Sequence, residues 1–281
     1  MREAISRSRL SGTLVLHAGY AIVLILLAFS AYEVLRLVRS NSETRITAYE
    51  AYLDQEEALA ALRRSGAETV LCLGDLVGYG PSPNETIALL RESNVMCCLG
   101  DADERIAFRF AKRIDRTGVA DRTIEWTRSI IEPDHVAWLR GLPVQRRIET
   151  PFGRLRAFHG TADDTSARTN LQQDPLALSR LLELHRCAVL TTGGSHVPDY
   201  RRVGAAGWVV NPGSVGLSLN GEPGADVCVL DISAAGVEVR MDKVDYDFAA
   251  VAFEVIAWGL PKTVAEAVQR GRMPEGGPER V

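Results

Sequence analysis

The sequence predicts a layered α/β domain that follows a single membrane-spanning helix. Three observations lead to this fold class: strand and helix patterns alternate over residues 69–140, β patterns dominate from 144 to 244, and residues 13–32 carry no formal charge. Alternating units followed by β-rich sequence are typical of sheets that pack together and are covered by helices. Functional residues are then expected in loops at the strand ends.

The segment from Thr13 to Tyr32 is long and apolar enough to cross a bilayer. Its twenty residues contain no Asp, Glu, Lys or Arg, and at 1.5 Å per residue a helix of this length spans about 30 Å, the thickness of the hydrocarbon core. A cleaved signal peptide, with AFS at 28–30 as the cleavage site, is the alternative, but the apolar run is long for one. His17 lies inside the span, either as an interfacial side chain or as a ligand of a cofactor such as haem.

The predicted organisation is an N-terminal tail (1–12), a transmembrane helix with its extension (13–39), a globular domain (40–262) and a C-terminal tail (263–281). The five cysteines all lie in apolar runs, which favours buried thiols in a reducing compartment and therefore a cytoplasmic globular domain on a single-pass protein of the cell membrane. A net charge of −4 and the absence of a Lys/Arg run argue against nucleic acid as a partner.

The first half of the globular domain alternates helix and strand. Residues 53–66 have apolar side chains at helical spacing and Gly66 at the stop position. A strand follows at 69–73, and after a Gly/Pro loop a helix is predicted at 84–92 with Asn84 as its cap. A second strand is predicted at 94–99. Helical patterns then occupy 103–114, 119–131 and 133–140, and the charges of 101–116 are interpreted as a solvated helix face.

Beyond Pro143 the pattern becomes mainly β. Helical patterns interrupt it only near 175–185 and over 246–260, where YDFAAVAFEVIAWGL is strongly apolar. Strands are predicted at 144–149, 154–159, 187–192, 207–210, 226–232 and 236–244.

Several of the loops carry motifs that occur together in one enzyme family. GDLVGYGP, FHG, TTGGSHVP and NPGSVG occur in this order between about residue 46 and residue 262, and in this the chain resembles the bacterial calcineurin-like metallophosphoesterases. The resemblance implies a four-layer αββα sandwich with a two-metal site at the strand ends. In such a site, water bound between the metals attacks a phosphoester and a histidine helps the leaving group depart.

The ligand set that the resemblance implies is partly present. Asp75 stands at the position of the carboxylate that bridges the two metals, and His159 is the histidine of the H-G pair. His196 keeps the last histidine of the G-H-x-H motif. Asp101 replaces the asparagine of G-N-H-D and is also an oxygen ligand. These residues imply either no cofactor or a single divalent ion (Mn, Mg or Zn).

Other positions lack the residue that the family requires. Ungapped counting places the family's first D-x-H on Thr47 and Tyr49, neither of which is the required ligand. Gly194 replaces a histidine ligand, and Ala102 replaces the catalytic histidine. Hydrolysis by the family's route is therefore expected to be lost, and no catalytic residue is expected.

The function expected from these residues is that of a membrane-anchored pseudoenzyme, retained as an accessory subunit of a larger respiratory, photosynthetic or transport complex. One alternative is an active, single-metal phosphodiesterase tethered to the membrane. Another is a binding module that holds a nucleotide or phosphate without cleaving it. The surviving acids and histidines also have a purely structural interpretation, in which they cap loops and bind backbone N–H groups.

Overall fold

The structure is a computed structural model that describes residues 57–108 and 118–274. The expected transmembrane segment 13–39 with His17, and the positions Thr47 and Tyr49, lie outside these residues. Within the described ranges, no helix is long and apolar enough to cross a membrane.

Two short parallel strands, each followed by an acid, form the part of the fold that carries the first motifs. Residues 57–64 form a helix (α1), followed by β1 (Leu71–Cys72), α2 (Pro83–Glu92) and β2 (Met96–Cys97). The two strands pair in register, Leu71 with Met96 and Cys72 with Cys97. The predicted strands 69–73 and 94–99 are thus present but shorter, because glycines end them at 74 and 100.

Three helices follow the second strand and pack with α2. They are α3 (Asp101–Phe108), α4 (Val119–Ile130) and α5 (Pro133–Arg140), close to their predicted positions. One apolar face of each helix joins a common core, because apolar side chains recur at helical spacing. The buried residues of this core are Val77, Ile87, Ala102, Ile106, Ala107, Ile124 and Leu139.

Five further strands of the described chain form a mixed sheet. They are β3 (Gln145–Thr150), β4 (Gly153–Phe158), β5 (Val189–Thr192), β6 (Asp199–Val203) and β7 (Gly207–Asn211), in the order β3-β4-β5-β7-β6. Strands β4, β5 and β7 are parallel, so their C-terminal ends meet at one edge. Helix α6 (Pro175–His185) covers the outer face through Leu178 and Leu182.

An antiparallel hairpin and two helices complete the described chain. The hairpin consists of β8 (Ala225–Ser233) and β9 (Gly236–Val244), and it is followed by α7 (Phe248–Ala257) and α8 (Lys262–Arg270). Side chains of β1, β8 and β9 share one core with the mixed sheet, which includes Leu73, Leu155, Val189, Leu230 and Val237. Sheets therefore pack face to face with helices outside, which confirms the predicted α/β class.

Three details differ from the sequence prediction. Strand β6 was not predicted, and residues 263–270 of the expected C-terminal tail belong to α8, whose Val264, Ala265, Ala267 and Val268 are buried.

Asn84 does not cap α2, which begins at Pro83. Its side chain instead donates to the carbonyl of Ile130 and accepts from the backbone N–H of Glu132, because those groups flank the gap between α4 and α5.

Candidate metal centre

The two loops that deliver the first acids touch each other closely. Asp75 follows β1 and Asp101 follows β2, and because the strands are parallel their acids emerge at one edge. A Cβ atom added to Gly74 would lie 2.6 Å from the backbone nitrogen of Gly100, and one added to Gly100 would lie 2.1 Å from that of Asp75. Only glycine allows this approach. The glycine of each Gly-Asp pair is thus a packing requirement of the site.

Asp103 connects the same two loops through hydrogen bonds to their backbones. Its carboxylate is fully buried and accepts hydrogen bonds from the backbone N–H groups of Leu76 at 2.9 Å, Val77 at 3.3 Å and Gly100 at 3.0 Å. Burial, together with the negative charge of Asp75, raises the pKa of Asp103 to about 8, while the hydrogen bond from Gly100 opposes the rise. Asp103 is therefore a structural acid beneath the site.

Asp75 and His159 form the centre of the site. His159 follows β4, and its Nε2 lies 3.1 Å from the Oδ2 of Asp75. Its Nδ1 lies 3.1 Å from the carbonyl oxygen of Leu73, while the other carboxylate oxygen of Asp75 accepts the backbone N–H of Ala102 at 2.8 Å. Both ring nitrogens thus face acceptors, which only the protonated imidazole can satisfy fully.

The electrostatics of this pair agree with its geometry. Burial alone would lower the pKa of His159, but the hydrogen bond and the charge of Asp75 outweigh it and raise the pKa. Burial alone would raise the pKa of Asp75, but the hydrogen bond and positive charge of His159 lower it. Each partner therefore stabilises the charged form of the other.

Asp101 lines the same cavity as this pair but forms its ion pair elsewhere. Its Oδ2 lies 3.8 Å from a guanidinium nitrogen of Arg105, one helical turn away in α3. Arg105 also pairs with Asp121 of α4, and its side chain is 19% exposed. The prediction that the charges of 101–116 form a solvated face is therefore wrong for Arg105, because α4 covers it.

His196 and Gly194 lie on the loop that follows β5. The Nδ1 of His196 donates to the carbonyl of Leu217 at 2.8 Å, its ring meets Tyr79 edge to face, and burial lowers its pKa. A Cβ atom at Gly194 would lie 3.5 Å from the Nε2 of His159. The position where the family has a histidine ligand is thus directly beside the Asp75–His159 pair.

The NPGSVG motif supports this loop. Asn211, at the end of β7, is buried and donates to the carbonyl of Gly193 at 3.2 Å and to the hydroxyl of Ser195 at 2.9 Å. A Cβ atom at Gly213 would lie 2.5 Å from a carboxylate oxygen of Asp226. The motif therefore has a structural role that does not depend on bound metal.

A cavity of about 490 Å³ opens above these residues. Besides the predicted Asp75, Asp101, His159, Gly194 and His196, its wall contains polar residues that the sequence analysis did not identify. Those are Tyr79, Arg105, Thr165, Ser166 and Arg168. The last three belong to the polar loop after the H-G pair, whose position directly behind a site residue is the signal that could have identified them.

The described donors do not form a complete metal site. In ranges 57–108 and 118–274, no group of three or more His, Cys, Asp or Glu side chains is arranged to hold a metal ion. Asp75 and His159 approach to 3.1 Å, the spacing of two adjacent ligands about 2.1 Å from one ion. The expected convergence of Asp75, Asp101 and His159 is not found among the described residues, and Asp101 lies 3.8 Å from Arg105. The binding of a metal ion by these residues stays a prediction.

Comparison with known proteins identifies the family. An uncharacterized protein of Methanocaldococcus jannaschii, MJ0912, is 23% identical over 226 residues, which is 75% of this chain and 90% of that protein. The crystal structure of the hypothetical protein PH1004 from Pyrococcus horikoshii OT3 has a TM-score of 0.69 at 21% identity, covering 80% of this chain and 95% of that one.

A second solved structure, a metallophosphoesterase from Sphaerobacter thermophilus, has a TM-score of 0.60 at 21% identity, covering 76% of this chain and 93% of that chain. At these identities the likeness shows the fold. Residues 50–235 match the sequence profile of the calcineurin-like phosphoesterase superfamily domain. Members of that family typically bind divalent metals. Since the match spans most of the chain, this protein belongs to the calcineurin-like phosphoesterase superfamily.

Proposed function

We propose that this chain is a non-hydrolytic member of the superfamily, in which an internal ion pair takes the place of the metal centre. The observation that carries the proposal is the contact of His159 Nε2 with Asp75 Oδ2 at 3.1 Å. Metallophosphoesterase chemistry needs a carboxylate that bridges two ions and a water activated between them. A carboxylate that neutralises an imidazolium is not available for that bridge.

The hydrogen bonds of the pair explain why a cation would compete poorly for it. The Nδ1 of His159 donates to Leu73, so a metal ion can reach only Nε2, and there it has to displace a proton that the charge of Asp75 holds. One oxygen of Asp75 is already bonded to the N–H of Ala102. Binding of an ion therefore costs the energy of an existing ion pair.

The residue at position 102 supports the same proposal, because alanine stands where the family has the histidine that donates a proton. The methyl group of Ala102 lines the cavity and carries no proton for a leaving oxygen. General acid catalysis contributes about 10²–10⁴-fold to such reactions. Without a general acid, and without a carboxylate free to bridge two metal ions, the proposed protein cannot hydrolyse a phosphoester by the family's mechanism.

Hydrolysis of a generic phosphodiester tests this proposal. The full chain should cleave bis(p-nitrophenyl) phosphate in the presence of Mn²⁺, Mg²⁺ or Zn²⁺ no faster than its Asp75→Asn variant does. Activity that Asp75→Asn abolishes would overturn the proposal and support the alternative of a single-metal, membrane-tethered phosphodiesterase.

We further propose that residues 13–39 tether this domain to the cell membrane in a single pass, with the domain in the cytoplasm as an accessory subunit of a respiratory, photosynthetic or transport complex. The support is the uncharged run from Thr13 to Tyr32. Intact mass of the mature chain tests the anchor, since a chain that begins near Ala31 contradicts it. Co-purification of other membrane subunits in mild detergent tests the accessory role, and purification as a lone chain contradicts it.

Binding without cleavage is a second candidate, favoured by the cavity wall. Arg168 gives it a cationic group, and Thr165 and Ser166 give it hydroxyl groups, which suit the oxygens of a phosphate group or nucleotide. Titration calorimetry with inorganic phosphate and with ATP tests this candidate. Heat of binding that disappears in Arg168→Ala supports it, and the absence of heat with either ligand contradicts it.

A further inference from the structure

Two cysteines lie side by side beneath the site. Cys72 in β1 and Cys97 in β2 are register partners on parallel strands. Neighbouring strands are about 4.8 Å apart, within the range of Cα separations of about 4.4–6.8 Å that disulfides tolerate. Both cysteines are free thiols in the structure.

The third cysteine of this region faces the other way. Successive residues of a strand point to opposite faces. Cys72 and Cys97 share one core with Leu59 and Leu89, whereas Cys98 belongs to the core on the opposite face. The Sγ of Cys98 contacts the carbonyl of Ala157 at 3.5 Å. Cys97 is therefore the partner that the fold offers to Cys72.

The two thiols also differ in access. Cys72 is partly exposed, while Cys97 is completely buried. Cys72 is thus the less buried residue of the pair. This asymmetry suits a pair in which one cysteine is attacked first and the other resolves the product.

We propose that Cys72 and Cys97 are a modification site that forms a reversible intrachain disulfide on exposure to a hydroperoxide. The Cys72 thiolate attacks the terminal oxygen, the O–O bond breaks, and the departing alkoxide takes up the proton that Cys72 released, which leaves a sulfenic acid and an alcohol. The Cys97 sulfur then attacks the Cys72 sulfur, the S–S bond forms, the S–O bond breaks, and hydroxide leaves as water with the Cys97 proton. The dithiol is oxidised by two electrons, the hydroperoxide is reduced, and a thiol reductant reverses the change.

The position of the pair gives this oxidation a structural consequence. Cys72 lies three residues before Asp75, and Cys97 lies three residues before Gly100. The disulfide would tie together the two strands whose loops form the floor of the cavity. Because Gly74 and Gly100 already allow no further approach, the bond is expected to restrict separation of the loops rather than draw them closer.

Peptide mapping of the native protein tests the proposal. The full chain, purified in detergent under reducing conditions and then treated with hydrogen peroxide, should lose two of its five thiols and about 2 Da in mass, the two hydrogens of one disulfide. Trypsin should then release residues 65–91 linked to residues 92–105, since no Lys or Arg interrupts either stretch. Dithiothreitol should restore all five thiols.

Matched serine variants assign the bond. Cys98→Ser and Cys228→Ser should still form the link, while Cys72→Ser and Cys97→Ser should not. The proposal is overturned if the native wild-type chain keeps five thiols under conditions that oxidise the urea-unfolded chain. It is also overturned if the link persists in Cys97→Ser, which would assign it to Cys98, or if the product is a disulfide between two chains.

Discussion

His159 points its Nε2 at the Oδ2 of Asp75, 3.1 Å away, although the two residues belong to different sheets. Asp75 follows β1, and His159 follows β4 of the mixed sheet. The ion pair therefore joins the two packed layers at the edge where the family places its metals. In the non-hydrolytic function proposed above, this charged contact takes the role of the cross-layer link that metal ligands would otherwise provide.

Removing one charge of this pair should weaken the fold. Asp75→Asn leaves the protonated His159 without its partner, and because the pair is mostly but not completely buried, we expect a loss of about 1–3 kcal/mol in the free energy of unfolding. Urea unfolding at about pH 6 measures it. Asp242→Asn is the matched control, since its partner Arg240 is exposed and water screens the pair, so a smaller loss is expected. Equal losses in the two variants would contradict the cross-layer role.

Stability should fall as the pH rises above neutrality. The folded pKa of His159 is raised from 6.5, so its contribution is complete below that value and is lost as the pH rises through the folded pKa. The pKa of Asp103 is raised from 3.8 to about 8, so the unfolded chain loses this proton first and stability falls as the pH rises between these two values. In both cases the folded state binds more protons than the unfolded chain.

Urea unfolding at about pH 6 and about pH 8 measures this dependence. The wild-type chain should be less stable at the higher pH, and His159→Gln should lose less stability across the interval because it lacks one of the two groups. An identical decrease in both proteins would show that His159 does not contribute. Below about pH 4 the opposite trend is expected, since the lowered pKa of Asp75 makes its contribution disappear as the carboxylate is protonated.

Gly100 should not tolerate alanine. Its Cβ would lie 2.2 Å from a carboxylate oxygen of Asp75 and 2.1 Å from the backbone nitrogen of the same residue, so one loop has to move. We expect Gly100→Ala to cost about 3 kcal/mol or more, as overpacking against backbone does. Gly216→Ala is the control, because no atom lies within 4 Å of its Cβ position. Comparable unfolding midpoints for the two variants would show that the loops separate easily.

Metal removal should change little. Because Asp75 and His159 neutralise each other, the full chain dialysed against EDTA should keep its melting temperature to within about 1 °C. Elemental analysis before dialysis should find no more than one tightly bound divalent ion per chain. Two such ions would require ligands beyond the described set and would contradict the non-hydrolytic proposal.

The sequence predicted the layered class and the order of most elements, because periodicity reports which face of each segment is buried. It missed β6, an edge strand whose Arg201 and Arg202 are exposed, since an edge strand needs no apolar alternation. It also missed α8, where burial of Val264 and Val268 depends on a surface supplied by α7.

The site was predictable only in part, because the motifs identify residues but not the contacts that those residues make. Motif positions identified Asp75 and His159, whose separation follows from the strand ends that carry them. The ion pair of Asp101 with Arg105 was not predictable, because Arg105 lies under α4 and also binds Asp121. A motif specifies which residues reach a site, whereas competing partners decide which of them turn toward it.

Asp103 holds the two site loops through backbone N–H groups alone. Every residue except proline carries such a group, so this support does not depend on which side chains the loops display. In the course of descent, position 102 can therefore change its side chain while the backbone of these two loops keeps its path. The architecture of these loops can thus be inherited independently of the side chains that they display, and the GDLVGYGP motif marks that architecture.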